Sequence, residues 1–339
     1  MELNYFRDKQ ILVTGGTGLI GYNLSLKLLA MPIAKLFVTG RSISKLSDTF
    51  NDIKDGRLML IEHDASNPIP SEIDNIDIIF HAAGPMEREI VQNRPVDVVL
   101  PNIIGTTNLL ELLRKQTDNG EKKSRIVIFS SVTVYNNKTD KDLTVQETDT
   151  CQAISLDASN ACYAESKRMS EVIAKAYHKQ YGIDAVIARF STVYGFTKNI
   201  PNTAFFEFIN KAIAGNNIIL NGAGFPRRDN IYINDAVDGL LAIACNGQSG
   251  ESYNISSGGE LGNFAAVDEI ANVIAETASE LLGKKPVEVV TNSELPRKPG
   301  LSLDNTKLKS LGWSLETSMK DGINNTIKLI INDHNLDAK

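Results

Sequence analysis

Three residues with hydroxyl, phenol and amine side chains could together move a proton: Ser131, Tyr163 and Lys167. Tyr163 and Lys167 are four positions apart in a stretch that predicts a helix, so both side chains project from one face. A free tyrosine hydroxyl titrates near a pKa of ~10, and a lysine cation one turn away lowers that value because it stabilises the phenolate. The tyrosine could then exchange a proton with a substrate oxygen to which Ser131 hydrogen-bonds.

Residues 10–21 predict a binding site for a second reactant in that reaction. The apolar run before the glycines predicts a strand, and residues 19–29 predict an amphipathic helix. Between them lie Gly15, which permits a sharp turn, Gly18, which admits a pyrophosphate, and Gly21, which lets helix and strand pack closely. The N–H groups that open the helix would face the phosphates. This arrangement predicts a dinucleotide site, so the tyrosine would move a proton while hydride passes between substrate and nicotinamide.

The end of the second predicted strand, residues 35–39, bears on the choice between NAD and NADP. An acidic residue there holds the ribose 2′-hydroxyl of NAD, whereas an arginine accommodates the 2′-phosphate of NADP. Gly40 offers no acid and Arg41 supplies a cation, which favours NADP(H); NAD(H) stays possible if Arg41 is an exposed loop residue. The predicted cofactor-binding residues are Gly15, Gly18, Leu19, Ile20, Gly21, Arg41, Asp64, Ala65, Ala82, Ala83, Tyr163 and Lys167.

Strands and helices alternate through the first half of the chain, which predicts an α/β fold with a Rossmann-type, doubly wound parallel sheet. Ligands of such sheets bind beyond the carboxyl ends of the strands, where Ser131 would lie. We expect a dinucleotide-binding domain over residues 1–195, including a polar loop at 136–160, and a smaller mixed α/β substrate lobe over 196–339. The elements expected after the second strand are strands at 58–61, 76–81, 125–129, 183–190, 218–220 and 287–290, and helices at 96–115, 163–181, 203–214, 235–244 and 264–282.

Composition excludes several other classes of protein. The 339 residues suffice for a large core. A net charge of −6 and a pI near 5.4 argue against a nucleic-acid partner. The first residues lack an apolar signal core, no window is apolar for long enough to predict a membrane span, and the three cysteines show no metal-ligand spacing. We therefore expect a cytoplasmic enzyme with no bound metal.

Taken together, these motifs resemble the extended short-chain dehydrogenase/reductases, the nucleotide-sugar epimerase/dehydratase branch. The resemblance covers about residues 9–330 and includes the glycine motif, residues 130–135, Tyr163-x-x-x-Lys167, and the stretches 189–195, 228–235 and 307–313. It implies that Ser131, Tyr163 and Lys167 are catalytic. It also implies a nucleotide-sugar substrate, whose diphosphate Arg228 contacts, with Arg297 and Lys298 as a second basic contact. Arg228 could instead form a surface ion pair with Asp229. Members of this family commonly dimerise through helices that correspond to residues 102–115 and the helix from 163, so we expect a homodimer.

Departures from the family pattern narrow the reaction. Sugar 4,6-dehydratases carry an Asp-Glu pair where this chain has Val132 and Thr133, and decarboxylases use a glutamate at the second position, so neither activity is expected. Thr192, Asn230 and Asn136 differ from the common residues of the substrate pocket. We expect a 4-keto-sugar reductase that consumes NADPH. A 4-epimerase with tightly bound NAD is the alternative, and a non-catalytic NADP-sensing scaffold is a more remote one.

Overall fold

The computed structural model describes residues 3–118, 123–135, 140–149, 153–220, 226–291 and 298–337. The strands are β1 Gln10–Thr14, β2 Lys35–Gly40, β3 Leu58–Glu62, β4 Ile78–His81, β5 Arg125–Ser131, β6 Leu143–Val145, β7 Asp184–Phe190, β8 Thr192–Tyr194, β9 Ile218–Leu220, β10 Arg227–Tyr232, β11 Ser252–Ile255, β12 Phe264–Ala266, β13 Val289–Thr291 and β14 Leu301–Leu303. The helices are α1 Leu19–Leu29, α2 Ile43–Thr49, α3 Arg88–Asn93, α4 Val96–Leu100, α5 Thr106–Asp118, α6 Ala161–Tyr181, α7 Ala204–Ala214, α8 Ile233–Asn246, α9 Val267–Leu282, α10 Thr306–Lys309 and α11 Met319–Asp337. Short 3₁₀ turns cover Leu3–Phe6 and Val132–Val134, and a π-helical turn, Pro101–Gly105, joins α4 to α5.

Seven parallel strands form the large sheet in the order β11-β7-β5-β4-β1-β2-β3. The chain order reverses between β1 and β4, and ligands of doubly wound sheets bind outside the strand ends at such a reversal. Central strands such as β4 are buried along their whole length, as expected for a sheet covered by helices on both faces. The predicted fold class is confirmed.

Two short stretches were predicted wrongly because each forms a strand that depends on distant partners. β6 lies in the region predicted as a polar loop, and it pairs in parallel with β14. β12 occupies the start of the predicted helix 264–282 and pairs with β10, so α9 begins only at Val267.

The large sheet crosses the predicted boundary between residues 195 and 196. β11 comes from the second half of the chain and pairs with β7 at the edge of the sheet. α8, also from the second half, packs on α1, β5 and β7. The division into two domains at this position stays a prediction.

A smaller five-stranded sheet has the path β12-β10-β14-β6, with β8 paired to β10, and β13 pairs with β9. The predicted helix 96–115 is interrupted by a π turn at Pro101, since proline lacks the N–H that an α-helix requires. The continuous helical stretch Val96–Asp118 is long and apolar enough to cross a membrane, yet 44% of its most apolar window is buried inside the fold. The expectation that no window is apolar for long enough to predict a membrane span is therefore wrong for this stretch, which packs beside α6.

Candidate active site

The loop between β1 and α1 has the geometry that close approach to a dinucleotide requires. Gly15 has a positive φ of 69°, and a Cβ there would lie 2.9 Å from the backbone nitrogen of Ala83. A Cβ on Gly21 would overlap the carbonyl oxygen of Gly15, so helix and loop touch through backbone. Gly18 differs, because a Cβ there would meet only the carbonyl oxygen of Gly15, at 3.4 Å. The loop is therefore tightly packed at two glycines and open at the third.

The N-terminus of α1 is free to bind an anion. Gly18 is the N-cap and has no side chain to accept from the first helical N–H groups. The N–H groups of Leu19 and Ile20 therefore lack acceptors within the helix and carry its partial positive charge. These features fit the pyrophosphate of a dinucleotide.

Predicted residues for the adenosine end lie after β2 and β3. Asp64 accepts a hydrogen bond from the backbone nitrogen of Ser66 at 2.9 Å. Burial opposes the charge of Asp64, but the bonds from Ser66 and the nearby Arg41 guanidinium hold the pKa of this carboxyl below its usual value. Ala65 is buried, and its carbonyl accepts from the Asn108 side chain at 3.2 Å. Arg41 itself is exposed at the end of β2.

Ala82 and Ala83, which are predicted to bind the cofactor, follow β4 and lie against Gly15 of the glycine loop. The Ala83 nitrogen donates to the Thr14 hydroxyl at 3.1 Å, and the same hydroxyl lies 2.9 Å from Nδ1 of His81. Burial lowers the pKa of His81 to about 3, so this ring is neutral. His81 therefore links the ends of β1 and β4.

Ser131, Tyr163 and Lys167 meet where β5 ends and α6 begins. The Tyr163 hydroxyl is hydrogen-bonded with Ser131; burial raises the pKa of Tyr163, and this bond partly counteracts the rise. Lys167 is buried, and its Nζ donates to the Phe129 carbonyl at 2.8 Å and lies 6.0 Å from the centre of the Tyr163 ring. Burial lowers the pKa of Lys167 to about 8. The arrangement suits proton transfer through the tyrosine with the lysine beside it.

Asn102 adjoins this group, although sequence reasoning did not include it in the site. It lies on the π turn, its amide donates to the Ser166 hydroxyl at 2.9 Å, and its Oδ1 is buried with no hydrogen-bond partner among the described residues. A Cβ on Gly84 would lie 2.5 Å from that Oδ1 and 3.3 Å from Lys167 Nζ. Pro101 inside an apolar helical pattern is the signal that could have found this residue, because π turns frequently occur at functional sites.

Two of the three basic residues predicted for the diphosphate, Arg228 and Lys298, belong to the described part of the chain. Arg228 is exposed on β10, and no carboxylate of the described residues lies within ion-pair distance of it. The alternative pairing with Asp229 is wrong, because that carboxylate points inward and accepts from Ser257 at 2.6 Å and from the Leu303 nitrogen at 3.0 Å. Lys298 is also exposed. Arg297 lies outside the described residues.

Two departures from the family pattern turn out to be neighbours. Asn230 and Thr192 are register partners across β10 and β8, and the Asn230 amide donates to two backbone carbonyls.

Thr133 lies in the 3₁₀ turn directly after Ser131, and its hydroxyl is buried with no partner among the described residues. A hydroxyl therefore occupies the position at which dehydratases and decarboxylases are expected to carry a carboxylate.

Comparison with known proteins identifies the family. A model described as the NAD dependent epimerase/dehydratase family matches residues 11–256. The chain belongs to this family. UDP-glucuronic acid decarboxylase 6 of Arabidopsis thaliana is 31% identical over 93% of this chain and 87% of that protein, and UDP-glucuronic acid decarboxylase 1 of Danio rerio is 28% identical over 94% and 72%.

Solved structures of this family agree with the fold over nearly the whole chain. UDP-glucuronic acid 4-epimerase from Bacillus cereus, in complex with UDP-glucuronic acid and NAD, gives a TM-score of 0.77 at 25% identity and covers 95% of this chain and 99% of its own. An epimerase of Methanothermobacter thermautotrophicus gives a TM-score of 0.80 at 23% identity over 99% and 96%. The family resemblance predicted from the motifs is confirmed. The described glycine loop fits NAD, the cofactor named in the family description.

Proposed function

We propose that this protein is an NAD-dependent 4-epimerase of a UDP-hexuronic acid, with UDP-glucuronic acid as the substrate. The observation that carries the proposal is the combination of a complete Ser131, Tyr163 and Lys167 group with a hydroxyl at Thr133. The group can oxidise and reduce a carbinol carbon. Elimination of water would need a further acid and base, and the 3₁₀ turn after Ser131 carries no carboxylate.

The substrate is inferred from what the similar proteins are named for. The plant and fish decarboxylases and the Bacillus cereus epimerase all carry UDP-glucuronic acid in their names. Oxidation of this sugar at C4 gives a ketone β to the C6 carboxylate, which can lose carbon dioxide or be reduced again. Reduction on the opposite face of C4 gives the epimer. We expect reduction here because Thr133 replaces the glutamate expected of the decarboxylases.

Each residue of the group has a separate task in that reaction. The Tyr163 phenolate accepts the proton of the C4 hydroxyl and later returns one to the oxygen of the ketone. Ser131 hydrogen-bonds the same oxygen and orients it, and the Lys167 ammonium stabilises the phenolate. Bound NAD⁺ supplies the hydride acceptor, held by the glycine loop and the N-terminus of α1. The exposed Arg228 and Lys298 are available for the diphosphate of the nucleotide.

A 4-keto-sugar reductase that uses NADP(H) is the second candidate. One observation favours it: Gly40 ends β2 without an acid, and the next residue, Arg41, is exposed and positively charged. The expectation of NADP(H) depends on this pair alone. The family description and the Bacillus cereus structure both name NAD, which supports the epimerase.

We also infer that two copies of the chain associate through α4, α5 and α6. α4 and α5 both pack on α6, and this region exposes five large apolar residues, on α4, on the π turn and on α6: Val96, Leu100, Ile104, Met169 and Val172. A patch of this kind on a folded protein indicates an interface. A second copy of the same helices would cover it in a symmetric dimer.

Two measurements on the purified protein test the proposed reaction. First, the protein is denatured and any released dinucleotide is identified by mass; NAD(H) close to one per chain is expected. Second, UDP-glucuronic acid is incubated with the protein, and products are separated by chromatography and weighed. An isomer of unchanged mass supports the 4-epimerase, whereas loss of carbon dioxide identifies a decarboxylase. Little bound dinucleotide, together with NADPH oxidation that depends on a 4-keto sugar, would establish the reductase instead.

A further inference from the structure

A buried charge pair lies directly behind the proposed catalytic group, between Glu171 on α6 and Arg189 on β7. Arg189 Nε donates to Glu171 Oε1 at 2.9 Å, and Nη2 donates to Oε2 at 2.7 Å. Ser130 adds a third bond, from its hydroxyl to Oε1 at 2.5 Å. Glu171 and Arg189 are each only 6% exposed. The Glu171 carboxylate therefore accepts three hydrogen bonds and is shielded from water.

Such a pair is not explained by stability alone. Removing two charges from water costs about as much free energy as their attraction returns, so apolar side chains of similar volume often stabilise a fold equally well. The location of the pair is therefore informative. Glu171 stands four residues after Lys167 on the same helix, so the two side chains share one face.

The end of β5 is fastened to α6 at three successive residues. The pairs are Ser131 with Tyr163, the Phe129 carbonyl with Lys167 Nζ, and the Ser130 hydroxyl with Glu171. The third pair holds the end of β5 at the position along α6 that the first two contacts require. Because Ser130 is bonded to Glu171, the residue beside it, Ser131, is fixed relative to Tyr163.

The charged and titratable groups around Lys167 come from three neighbouring elements. His81 at the end of β4 is neutral, since burial lowers its pKa to about 3. Tyr163 lies one turn before Lys167 on α6, and its pKa is raised by burial. Arg189 on β7 is bonded to the far side of Glu171. Burial lowers the pKa of Lys167, and the Glu171 carboxylate opposes that effect.

We propose that Glu171 is a positioning residue for Lys167: its carboxylate, held by Ser130 and Arg189, keeps a charged ammonium group beside the Phe129 carbonyl and the Tyr163 ring. The inference rests on the proposed function in one respect, namely that Lys167 must be charged for Tyr163 to act as a base. Arg189 extends the same network, because Nη1 donates to the Tyr135 hydroxyl at 2.9 Å.

The direct test is the titration of Lys167 itself, in full-length protein that retains its bound dinucleotide. Lysine side chains are labelled with ¹³C at Cε, and the Lys167 signal is assigned by its absence in Lys167→Arg. In Glu171→Gln we expect the pKa of Lys167 to fall by about one unit, because a neutral amide replaces the carboxylate. An unchanged pKa in the folded variant would overturn the proposal.

Two further variants keep the result interpretable. Glu171→Gln leaves Arg189 buried without its partner and can prevent folding, so the double variant Glu171→Met with Arg189→Met removes both charges at similar volume. It should lower the pKa of Lys167 by less than Glu171→Gln does, because the Arg189 cation, which repels the ammonium group, is removed together with the carboxylate. A pKa that falls in neither variant contradicts the proposal. Ser130→Ala keeps the carboxylate and its two bonds from Arg189, so the pKa of Lys167 should fall by less than in Glu171→Gln. If the pKa of Lys167 falls as far in Ser130→Ala as in Glu171→Gln, the cause is altered packing and not the loss of the carboxylate charge. That result also overturns the proposal.

Kinetics then separate a positioning role from a purely structural one. Charged Lys167 is needed for turnover, so the alkaline limb of the kcat profile should move to lower pH by about the same unit in Glu171→Gln, with KM nearly unchanged. A lower kcat at every pH with an unmoved limb would indicate general damage to the fold. If the wild type does not turn over UDP-glucuronic acid, the proposed function fails, while the lysine titration still decides the role of Glu171.

Discussion

The glycines of the first loop differ in what an added methyl group would meet. At Gly16 a Cβ would overlap Cγ1 of Val38 on β2, whereas at Gly18 its nearest protein atom is the carbonyl oxygen of Gly15 at 3.4 Å. We expect Gly18→Ala to fold with nearly wild-type thermal stability and to bind NAD at least about tenfold more weakly, because the methyl occupies the space of the pyrophosphate.

Gly16→Ala is the matched control for that prediction. It should lose about 1–3 kcal/mol of unfolding free energy, since the stiff Val38 side chain must move. Calorimetry and titration with NAD measure the two effects. Equal NAD affinity in Gly18→Ala and the wild type would contradict a phosphate site at this loop.

Single residues could be predicted from the sequence where their role is local. The glycine spacing and the four-residue spacing of Tyr163 and Lys167 need only one turn or one helix. The need for glycine at position 16 could not be predicted in this way, because it comes from a side chain on the next strand. The Glu171–Arg189 pair was missed for the same reason: its partners are 18 residues apart, and only the packing of α6 on the sheet brings them together.

Most long helices were predicted well and short strands poorly, although the 19-residue helix α11 was not predicted. α1 was placed at its exact ends, whereas β11 was not predicted at all. Its sequence, Ser-Tyr-Asn-Ile, is half polar, and it forms a strand because pairing with β7 satisfies its backbone and buries every residue. β6 and β12 are three-residue strands that likewise pair with strands distant in the sequence. Tertiary pairing overrides weak local preference in such segments.

A loop from the second half of the chain, at residues 198–199, is hydrogen-bonded to the glycine loop. The Asn199 side chain donates to the Thr17 carbonyl at 3.3 Å and to the Thr49 hydroxyl at 2.7 Å. The next residue back, Lys198, pairs with Asp333 on α11. These contacts should hold the glycine loop in its binding conformation and slow the release of the dinucleotide, as a captive cofactor requires.

We therefore expect Asn199→Ala to bind NAD about threefold to tenfold more weakly, the size of one or two lost hydrogen bonds. Asn246→Ala is the control, because its amide bonds the Leu311 carbonyl on a different part of the surface. Retention of NAD during gel filtration and a titration with NAD give the comparison. If both variants retain NAD as the wild type does, the loop does not govern cofactor release.

At the scale of the whole molecule, the fold class followed from the alternation of strands and helices, but the connection between the two halves did not. A boundary at residue 195 assumes that each half closes its own sheet. The structure instead places β11 in the large sheet and β6 in the small one. Each half thus contributes a strand to the other's sheet.

The apolar outer face of α4, α5 and α6 predicts that two copies of the chain associate. Val96 and Val172 are 61% and 58% exposed, although valine is usually buried. We expect the wild type to be a dimer at micromolar concentration, and Val96→Glu with Val172→Glu to be a monomer, because four carboxylates would face one another across the twofold axis. Light scattering after gel filtration measures the mass.

Leu156→Glu is the control for that experiment. Leu156 is 84% exposed but lies outside the three helices, so a charge there should leave the dimer intact. The double variant should also keep its bound NAD, since neither valine belongs to the glycine loop. A wild-type monomer, or a dimer that survives both charges, would mean that this face has another occupant and that the proposed catalytic group functions within a single chain.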